Sequence, residues 1–147
     1  MIITRTATAR YQGMGKAGQG SLTTQSGVLD HQKFAFNTRM GDEPGTNPEE
    51  LIAAAHAGCF TMALSFGLAG EGITEGTLET TAKVTLEQDG AGFTITRSDL
   101  SLTADVPGIE DQRLRELAEQ AEKNCPVSKL LKAEISLTVN AGAPVAA

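Results

Sequence analysis

The stretch from Leu51 to Ala69 is apolar almost all the way round a helix, and this feature constrains the fold most. Only His56, Thr61 and Ser65 interrupt it with clearly polar side chains. A helix without a polar face has to be buried, so other elements must cover it. A chain of 147 residues has few elements for this purpose. We therefore expect a second copy to supply part of the cover, which predicts a homodimer.

A membrane span is the competing interpretation of this stretch. Ala and Gly dominate it and basic anchors are missing at its ends, so we expect a buried helix instead. The net charge of −6 comes without a cluster of Lys or Arg, which argues against nucleic acid and anionic membranes as main partners. The N-terminal residues lack the apolar run of a signal peptide, so the sequence predicts a cytoplasmic location with reduced thiols.

A start signal precedes the apolar helix. Asn47 suits the N-cap position and Pro48 suits the first helical position. Glu50, three residues after Asn47, completes a pattern like a capping box. The loop before it, residues 41–46, is rich in turn-forming residues, so the helix should begin sharply at this point.

Alternating apolar and polar residues predict strands on both sides of this helix. The predicted strands cover residues 2–11, 20–25, 28–29, 77–87, 93–106 and 135–139. A phase change between Arg97 and Asp99 predicts a β-bulge. Further helices are expected over residues 108–124 and 125–131. The chain is therefore predicted to be one α+β domain, residues 1–147, with antiparallel sheets around a buried central helix and a frayed tail at 141–147.

The two cysteines, Cys59 and Cys125, are the residues best suited to redox chemistry. Cys59 lies mid-helix, where the helix dipole helps little, so a thiolate there needs a cationic side chain nearby. His56, one turn earlier, and Arg39 are candidates for that cation. Cys125 precedes Pro126 at a helix start, where amides and the dipole favour a thiolate. On the residues alone, both thiols could equally be inert, Arg39 a surface charge and His56 a core residue.

The soft donor residues also allow a different class of protein, a metal-binding or redox-sensing module without turnover. His31, His56, Cys59 and Cys125 could together supply a zinc site, although their spacing is scattered. A third possibility is a non-catalytic protein that binds apolar small molecules. Stoichiometric zinc in the purified protein would favour the metal-binding module.

Two motifs resemble the signatures of the OsmC/Ohr superfamily, the osmotically inducible protein C and organic hydroperoxide resistance proteins. They are Thr46–Phe60, TNPEELIAAAHAGCF, and Asn124–Ser128, NCPVS. The resemblance extends to Gly20–Leu29, Phe36–Arg39 and Pro107–Ile109, and so covers nearly the whole chain. The FNTR segment that ends at Arg39, and the histidine at position 56, are more similar to the OsmC branch than to the Ohr branch.

The resemblance implies an intertwined homodimer with two active sites at the subunit interface. It implies a thiol-dependent peroxidase that reduces organic hydroperoxides, and hydrogen peroxide as well, in oxidative or osmotic stress defence. Cys59 would be the peroxidatic thiol and Cys125 the resolving thiol. Arg39 would stabilise the thiolate, and Glu49 would orient this arginine. No metal or other cofactor is implied, and an external dithiol, such as a lipoyl protein, would restore the thiols.

Helix geometry limits how these residues can combine. Glu49 and Cys59 are ten residues apart on one predicted helix, so they lie about 15 Å apart along its axis. A carboxylate and a sulfur of the same copy then cannot share one small site. Either the partner subunit supplies the Glu49–Arg39 pair or the helix breaks between them, and we expect the first arrangement.

Overall fold

The computed structural model describes residues 1–146, and it contains two compact units, Met1–Leu51 and Ile52–Ala147. The strands are β1 Ala7–Gln12, β2 Gln19–Thr24, β3 Gln32–Phe34, β4 Thr77–Asp89, β5 Gly92–Asp105 and β6 Glu134–Ala141. The helices are α1 Phe36–Met40, α2 Pro48–Gly70, α3 Asp111–Asn124 and α4 Pro126–Leu130. The predicted α+β class and the central helix are confirmed, and each unit has its own three-stranded sheet. The single-domain assignment stays a prediction.

The first unit contains an antiparallel sheet in the order β1-β2-β3, followed by α1. β1 starts at Ala7, later than predicted. The return strand was expected at 28–29, and this is wrong, because β3 at Gln32–Phe34 is the strand that pairs with β2. The backbone and hydroxyl of Thr24 bond to Leu29 and close a wider loop than a two-residue turn.

The second unit contains a mixed sheet, so the prediction of purely antiparallel sheets is wrong here. β4 and β5 form an antiparallel hairpin, but β6 pairs with β5 in the parallel direction. The physical reason is the connection, because α3 and α4 carry the chain back along the sheet before β6 begins. Parallel neighbours require such a crossover, whereas alternation within a strand does not encode its direction.

Several boundaries in the second unit differ from the prediction by a few residues. The bulge lies at Thr96, because Thr85 pairs with Arg97 and Leu86 with Ile95. α3 begins three residues later than expected, since Gly108 has a φ of 84°, which a right-handed helix excludes. β6 extends to Ala141, residues 143–146 have no regular secondary structure, and Ala147 lies outside the described residues.

The start of α2 follows the predicted capping signal in part. Oδ1 of Asn47 accepts a hydrogen bond of 2.8 Å from the backbone N–H of Glu50, as expected for an N-cap. The carboxylate of Glu50 accepts from the hydroxyl of Thr46, also at 2.8 Å, rather than from the Asn47 backbone. Three side chains therefore fix the first turn of α2 and with it the position of Glu49.

The prediction that α2 is buried holds for one stripe of its surface. His56, Phe60, Leu64 and Leu68 are buried, four residues apart, and the three apolar ones join a core with residues of β5 and α3. On another face, the side chains of Met62 and Phe66 are large and apolar, yet these residues are 63% and 72% exposed. A single chain therefore leaves part of this helix uncovered.

α2 is also long and apolar enough to cross a membrane, with a mean hydropathy of 1.6 over 18 residues, of which 22% are buried. This criterion concerns length and composition only, and the core helix of a soluble protein meets it as well. One such helix is weak support for a membrane span.

Candidate active site

The two cysteines meet inside the second unit. Cys59 lies on α2 beside the buried Phe60, and Cys125 is the N-cap residue of α4. Both thiols are free, Cys59 packs against the core cluster that contains Cys125, and each thiol shifts the pKa of the other. Cys125 is fully buried, whereas Cys59 is only partly buried. An oxidant from solution would therefore reach Cys59 before Cys125.

Their surroundings shift the pKa values of the two thiols in opposite directions. Burial raises the pKa of Cys125, but hydrogen bonds from Cys59 and from Ser128 and Val127 outweigh this effect and lower it. Burial raises the pKa of Cys59, and the neighbouring Cys125 raises it further, against one favourable bond from the Val127 amide. In a single chain the first proton therefore leaves Cys125, and a Cys59 thiolate needs a cation in addition.

The predicted cation, Arg39, is held by Glu49 within the first unit. Nε of Arg39 lies 3.0 and 3.1 Å from the two carboxylate oxygens of Glu49, and Nη2 lies 2.5 Å from one of them. The side chain of Glu49 is only 12% exposed, against 38% for Arg39. This forked pair fixes the plane of the guanidinium. Two of its nitrogens are bound in this way, and Nη1 has no acceptor within residues 1–146.

An apolar cavity of about 430 Å³ lies next to Arg39 in the first unit. Its walls include the side chains of Tyr11, Phe34, Phe36 and Met40. A charged guanidinium beside an apolar cavity suits a ligand that is mostly apolar and has one small polar group.

His56 is a buried and fully hydrogen-bonded residue. Its Nδ1 lies 2.6 Å from Oγ of Ser98, and its Nε2 lies 2.8 Å from Oγ of Ser128. Burial lowers the pKa of His56, so the imidazole is neutral at neutral pH. A neutral ring cannot stabilise a thiolate as a cation, which leaves Arg39 as the candidate. Sequence reasoning missed both serines, because an isolated serine on a strand or short helix leaves no pattern.

The metal-site alternative gains no support from the structure. Residues 1–146 contain no group of three or more His, Cys, Asp or Glu side chains placed to bind one metal ion. His31, one of the four donors considered, is exposed and has Nδ1 2.6 Å from a carboxylate oxygen of Asp30.

Comparison with known proteins identifies the family. A family model described as OsmC-like protein matches residues 41–140. The chain is 47% identical to the peroxiredoxin OsmC of Escherichia coli strain K12 over 137 residues, which cover 93% of this chain and 96% of that protein. The chain belongs to the OsmC-like protein family.

Other relatives place this OsmC-like chain in the wider superfamily. It is 33% identical to the organic hydroperoxide resistance protein OhrB of Bacillus subtilis strain 168 over 139 residues, 92% of this chain and 95% of OhrB. The crystal structure of OhrB of Bacillus subtilis matches with a TM-score of 0.69 and 28% identity, covering 94% of this chain and 98% of that one. These findings confirm the resemblance and the fold. The names of the relatives indicate a cysteine-based peroxidase.

Proposed function

We propose that this OsmC-like chain reduces organic hydroperoxides to alcohols, with Cys59 as the attacking thiolate and Cys125 as the resolving thiol. The observation that carries the proposal is that the two free cysteines lie in one core cluster, with Cys59 partly exposed and Cys125 buried. Both thiols have to return to the reduced state in every cycle, so the cytoplasm is the compartment that suits the protein.

The reaction has three steps. The Cys59 thiolate attacks the distal oxygen of the hydroperoxide, the O–O bond breaks, and the alkoxide takes a proton and leaves as alcohol, while Cys59 becomes a sulfenic acid. The Cys125 thiolate then attacks this sulfur, the S–S bond forms, the S–O bond breaks, and hydroxide leaves and is protonated to water. An external dithiol, for which a lipoyl group is suitable chemistry, finally reduces the disulfide by two exchange steps.

The first step needs the guanidinium of Arg39. Burial and Cys125 both raise the pKa of Cys59 within one chain, so the thiolate requires a positive charge close to the sulfur. Glu49 already holds Arg39 in one orientation through Nε and Nη2, which leaves Nη1 available to interact with a thiolate. We assign Glu49 the role of positioning Arg39.

A homodimer is the arrangement that fits these residues. α2 runs as one helix from Pro48 to Gly70, so the alternative of a broken helix between Glu49 and Cys59 has no support. Ten residues of helix span about 15 Å, which makes the partner subunit the suitable source of Arg39 and Glu49. The exposed Met62 and Phe66 offer an apolar face that a second copy would cover.

Mixing two defective variants tests this arrangement. We expect Arg39→Met to lower the rate of Cys59 oxidation about thirtyfold at neutral pH, because an unassisted thiol is only a few per cent ionised there. Cys59→Ser protein alone should be inactive. Unfolded and refolded together, the two should recover about a quarter of the wild-type rate, since half of the dimers are mixed and each has one complete site. Mixtures no more active than Arg39→Met alone would show that Arg39 acts on its own chain.

A substrate comparison tests the proposed function itself. The reduced protein should consume cumene hydroperoxide with dithiothreitol as the dithiol, and do so faster than hydrogen peroxide at equal concentrations. The reason is the apolar cavity beside Arg39, where an aromatic group gains burial that hydrogen peroxide cannot. Protein that consumes neither peroxide would contradict the proposal, and a preference for hydrogen peroxide would contradict the assignment of the cavity.

A further inference from the structure

We propose that two glycines, Gly18 and Gly20, determine the size of the hydroperoxides that the cavity beside Arg39 accepts. They do so by leaving room for the rings of Tyr11 and Phe34, which form part of the cavity wall. The inference rests on the proposed peroxidase function and deepens it, because it names the residues that admit an apolar group as large as a cumyl group. The glycines act through the two rings and are positioning residues.

The first sheet brings both rings to one of its faces. Tyr11 of β1 and Phe34 of β3 are the cross-strand partners of Gly20, which lies between them on β2. Residues that pair directly across antiparallel strands project their side chains from the same face of the sheet. The centroids of the two rings are 5.7 Å apart, with an angle of 36° between the ring planes. The two rings therefore lie side by side on the face to which Gly20 belongs.

Each glycine lies too close to a ring for any side chain. A Cβ atom at Gly20 would lie 2.4 Å from Cε1 of Phe34 and 2.7 Å from both Cδ1 and Cζ. A Cβ atom at Gly18 would lie 2.4 Å from Cε1 of Tyr11 and 2.7 Å from Cζ. Carbon atoms that are not bonded to each other pack at about 3.5–4.0 Å, so a methyl group at either position has to displace the ring.

Backbone conformation does not explain these glycines. Gly18 has a φ of −67° and a ψ of 155°, which are values that any residue adopts. Gly20 lies within the regular pairing of β2 on both sides, and its φ is not positive. Glycine weakens a strand, and such a position often marks the close approach of another group. At both positions here, the group that approaches is an aromatic ring of the cavity wall.

A ring that is pushed off the sheet moves into the cavity. The cavity of about 430 Å³ has Tyr11 and Phe34 in its wall, and the sheet backbone blocks movement in the opposite direction. The hydroxyl of Tyr11 donates a hydrogen bond of 2.7 Å to the carbonyl oxygen of Gly15, which holds the far end of this ring in place. A smaller cavity buries less of a large apolar group, whereas hydrogen peroxide has no such group to bury.

Single-turnover kinetics on the reduced full-length protein test the size selection. The measured quantity is the rate constant for oxidation of Cys59 by cumene hydroperoxide, divided by that for hydrogen peroxide. Gly20→Ala and Gly18→Ala should each lower this ratio about tenfold, the effect of about 50 Å² of apolar surface that is no longer buried. The corresponding ratio for the smaller tert-butyl hydroperoxide should fall less. Gly92→Ala is the matched control, because a Cβ atom at this strand glycine would lie 3.8 Å from the carbonyl oxygen of Asp89, an ordinary contact.

Tyrosine fluorescence provides a readout that does not require turnover. Tyr11 is the only tyrosine of the chain, which has no tryptophan, so this fluorescence reports on the cavity wall. The probe is cumyl alcohol, the product of cumene hydroperoxide, which has no O–O bond and cannot oxidise a thiol. It should change the fluorescence of the parent protein and of Gly92→Ala saturably, and its Kd should be about tenfold higher for Gly20→Ala, for the same loss of buried apolar surface.

A second substitution separates displacement of the ring from a loss of stability. A ring packed on a strand glycine also stabilises the sheet, so a lower melting temperature of Gly20→Ala is expected whether or not the cavity changes. Phe34→Leu in the Gly20→Ala protein removes the ring that the methyl group displaces. This double variant should regain most of the lost preference for cumene hydroperoxide.

The outcomes separate this inference from the proposed function. Folded Gly20→Ala and Gly18→Ala proteins with the rate ratio and the Kd of the Gly92→Ala control would overturn the size selection, while the peroxidase function remained. A parent protein that does not bind cumyl alcohol would overturn it as well. A parent protein that reduces no hydroperoxide would overturn the proposed function, and the fluorescence titration would still decide whether the two glycines set the size of the ligand.

Discussion

Replacing Cys59 by serine is expected to abolish hydroperoxide reduction completely. A serine hydroxyl is not ionised near neutral pH and cannot form a sulfenic acid, so the first step has no substitute nucleophile. The change removes no bulk, and Cys59 is only partly buried, so the fold should persist. The measurement is the consumption of cumene hydroperoxide with dithiothreitol, followed over many equivalents, beside a circular dichroism spectrum of the same sample.

The appropriate comparison for this variant is the protein that keeps Cys59 and lacks Cys125. That protein should still perform one oxidation per chain, whereas Cys59→Ser should perform none. Peroxide consumption by Cys59→Ser at the rate of the parent protein would rule out Cys59 as the attacking thiol.

Replacing Cys125 by serine should give a single rapid turnover that then stalls. Cys59 would still be oxidised to the sulfenic acid, but the neighbouring thiol proposed to resolve it would be missing. With excess peroxide the sulfenic acid should proceed to the sulfinic and sulfonic acids, which dithiols do not reverse. Quenched samples should show one rapidly released equivalent of alcohol per chain, followed by slower release of one further equivalent for each additional oxygen, and final intact mass spectra should show two or three added oxygen atoms at Cys59.

The same treatment of the parent protein serves as the control. It should yield a disulfide with no added oxygen at one equivalent of peroxide. The contradicting result is turnover by Cys125→Ser at the parent rate, with an external dithiol reducing the sulfenic acid of Cys59 before it is over-oxidised. That result would show that no resolving cysteine is needed.

The opposite pKa shifts explain why the two variants should fail at different steps. The more acidic thiol of a single chain is Cys125, because Cys59, Ser128 and Val127 lower its pKa. A lowered pKa suits the attack of Cys125 on the sulfenic acid of Cys59. Cys59 has the more accessible sulfur but an unfavourable raised pKa. Cys59 is thus the more accessible thiol and Cys125 the more easily ionised one. We propose that the guanidinium of Arg39 lowers the pKa of Cys59, so that the accessible sulfur is also ionised.

Local patterns in the sequence predict the elements that carry these residues. Apolar content predicts α2, Asn47 predicts its start, and the Pro126 motif predicts the helix that begins after Cys125, because each of these signals acts within a few residues of chain. The direction of β6 could not be predicted, since side-chain alternation is identical in parallel and antiparallel strands. The predicted position of the β-bulge was also wrong by a few residues. A change in the phase of the alternation shows that a strand has an extra residue, but it does not show which residue that is.

The candidate site is less predictable from local sequence patterns than the helices and strands are. Spacing alone leaves Cys59, Cys125 and Arg39 with inert alternatives, and only their resemblance to the OsmC/Ohr motifs gives them roles. The contact between the two thiols depends on how α4 packs on α2, which no local pattern encodes. Ser98 and Ser128 were beyond prediction because they become partners of His56 only through tertiary packing of β5 and α4.

Peptide mapping of the parent protein after one equivalent of cumene hydroperoxide tests the central claim most directly. The account predicts a single intramolecular bond between the peptides that contain Cys59 and Cys125, with the mass of the chain lower by two hydrogen atoms and one equivalent of alcohol released. Peroxide consumed while both thiols remain free, or oxidation that joins cysteines of different chains only, would contradict it.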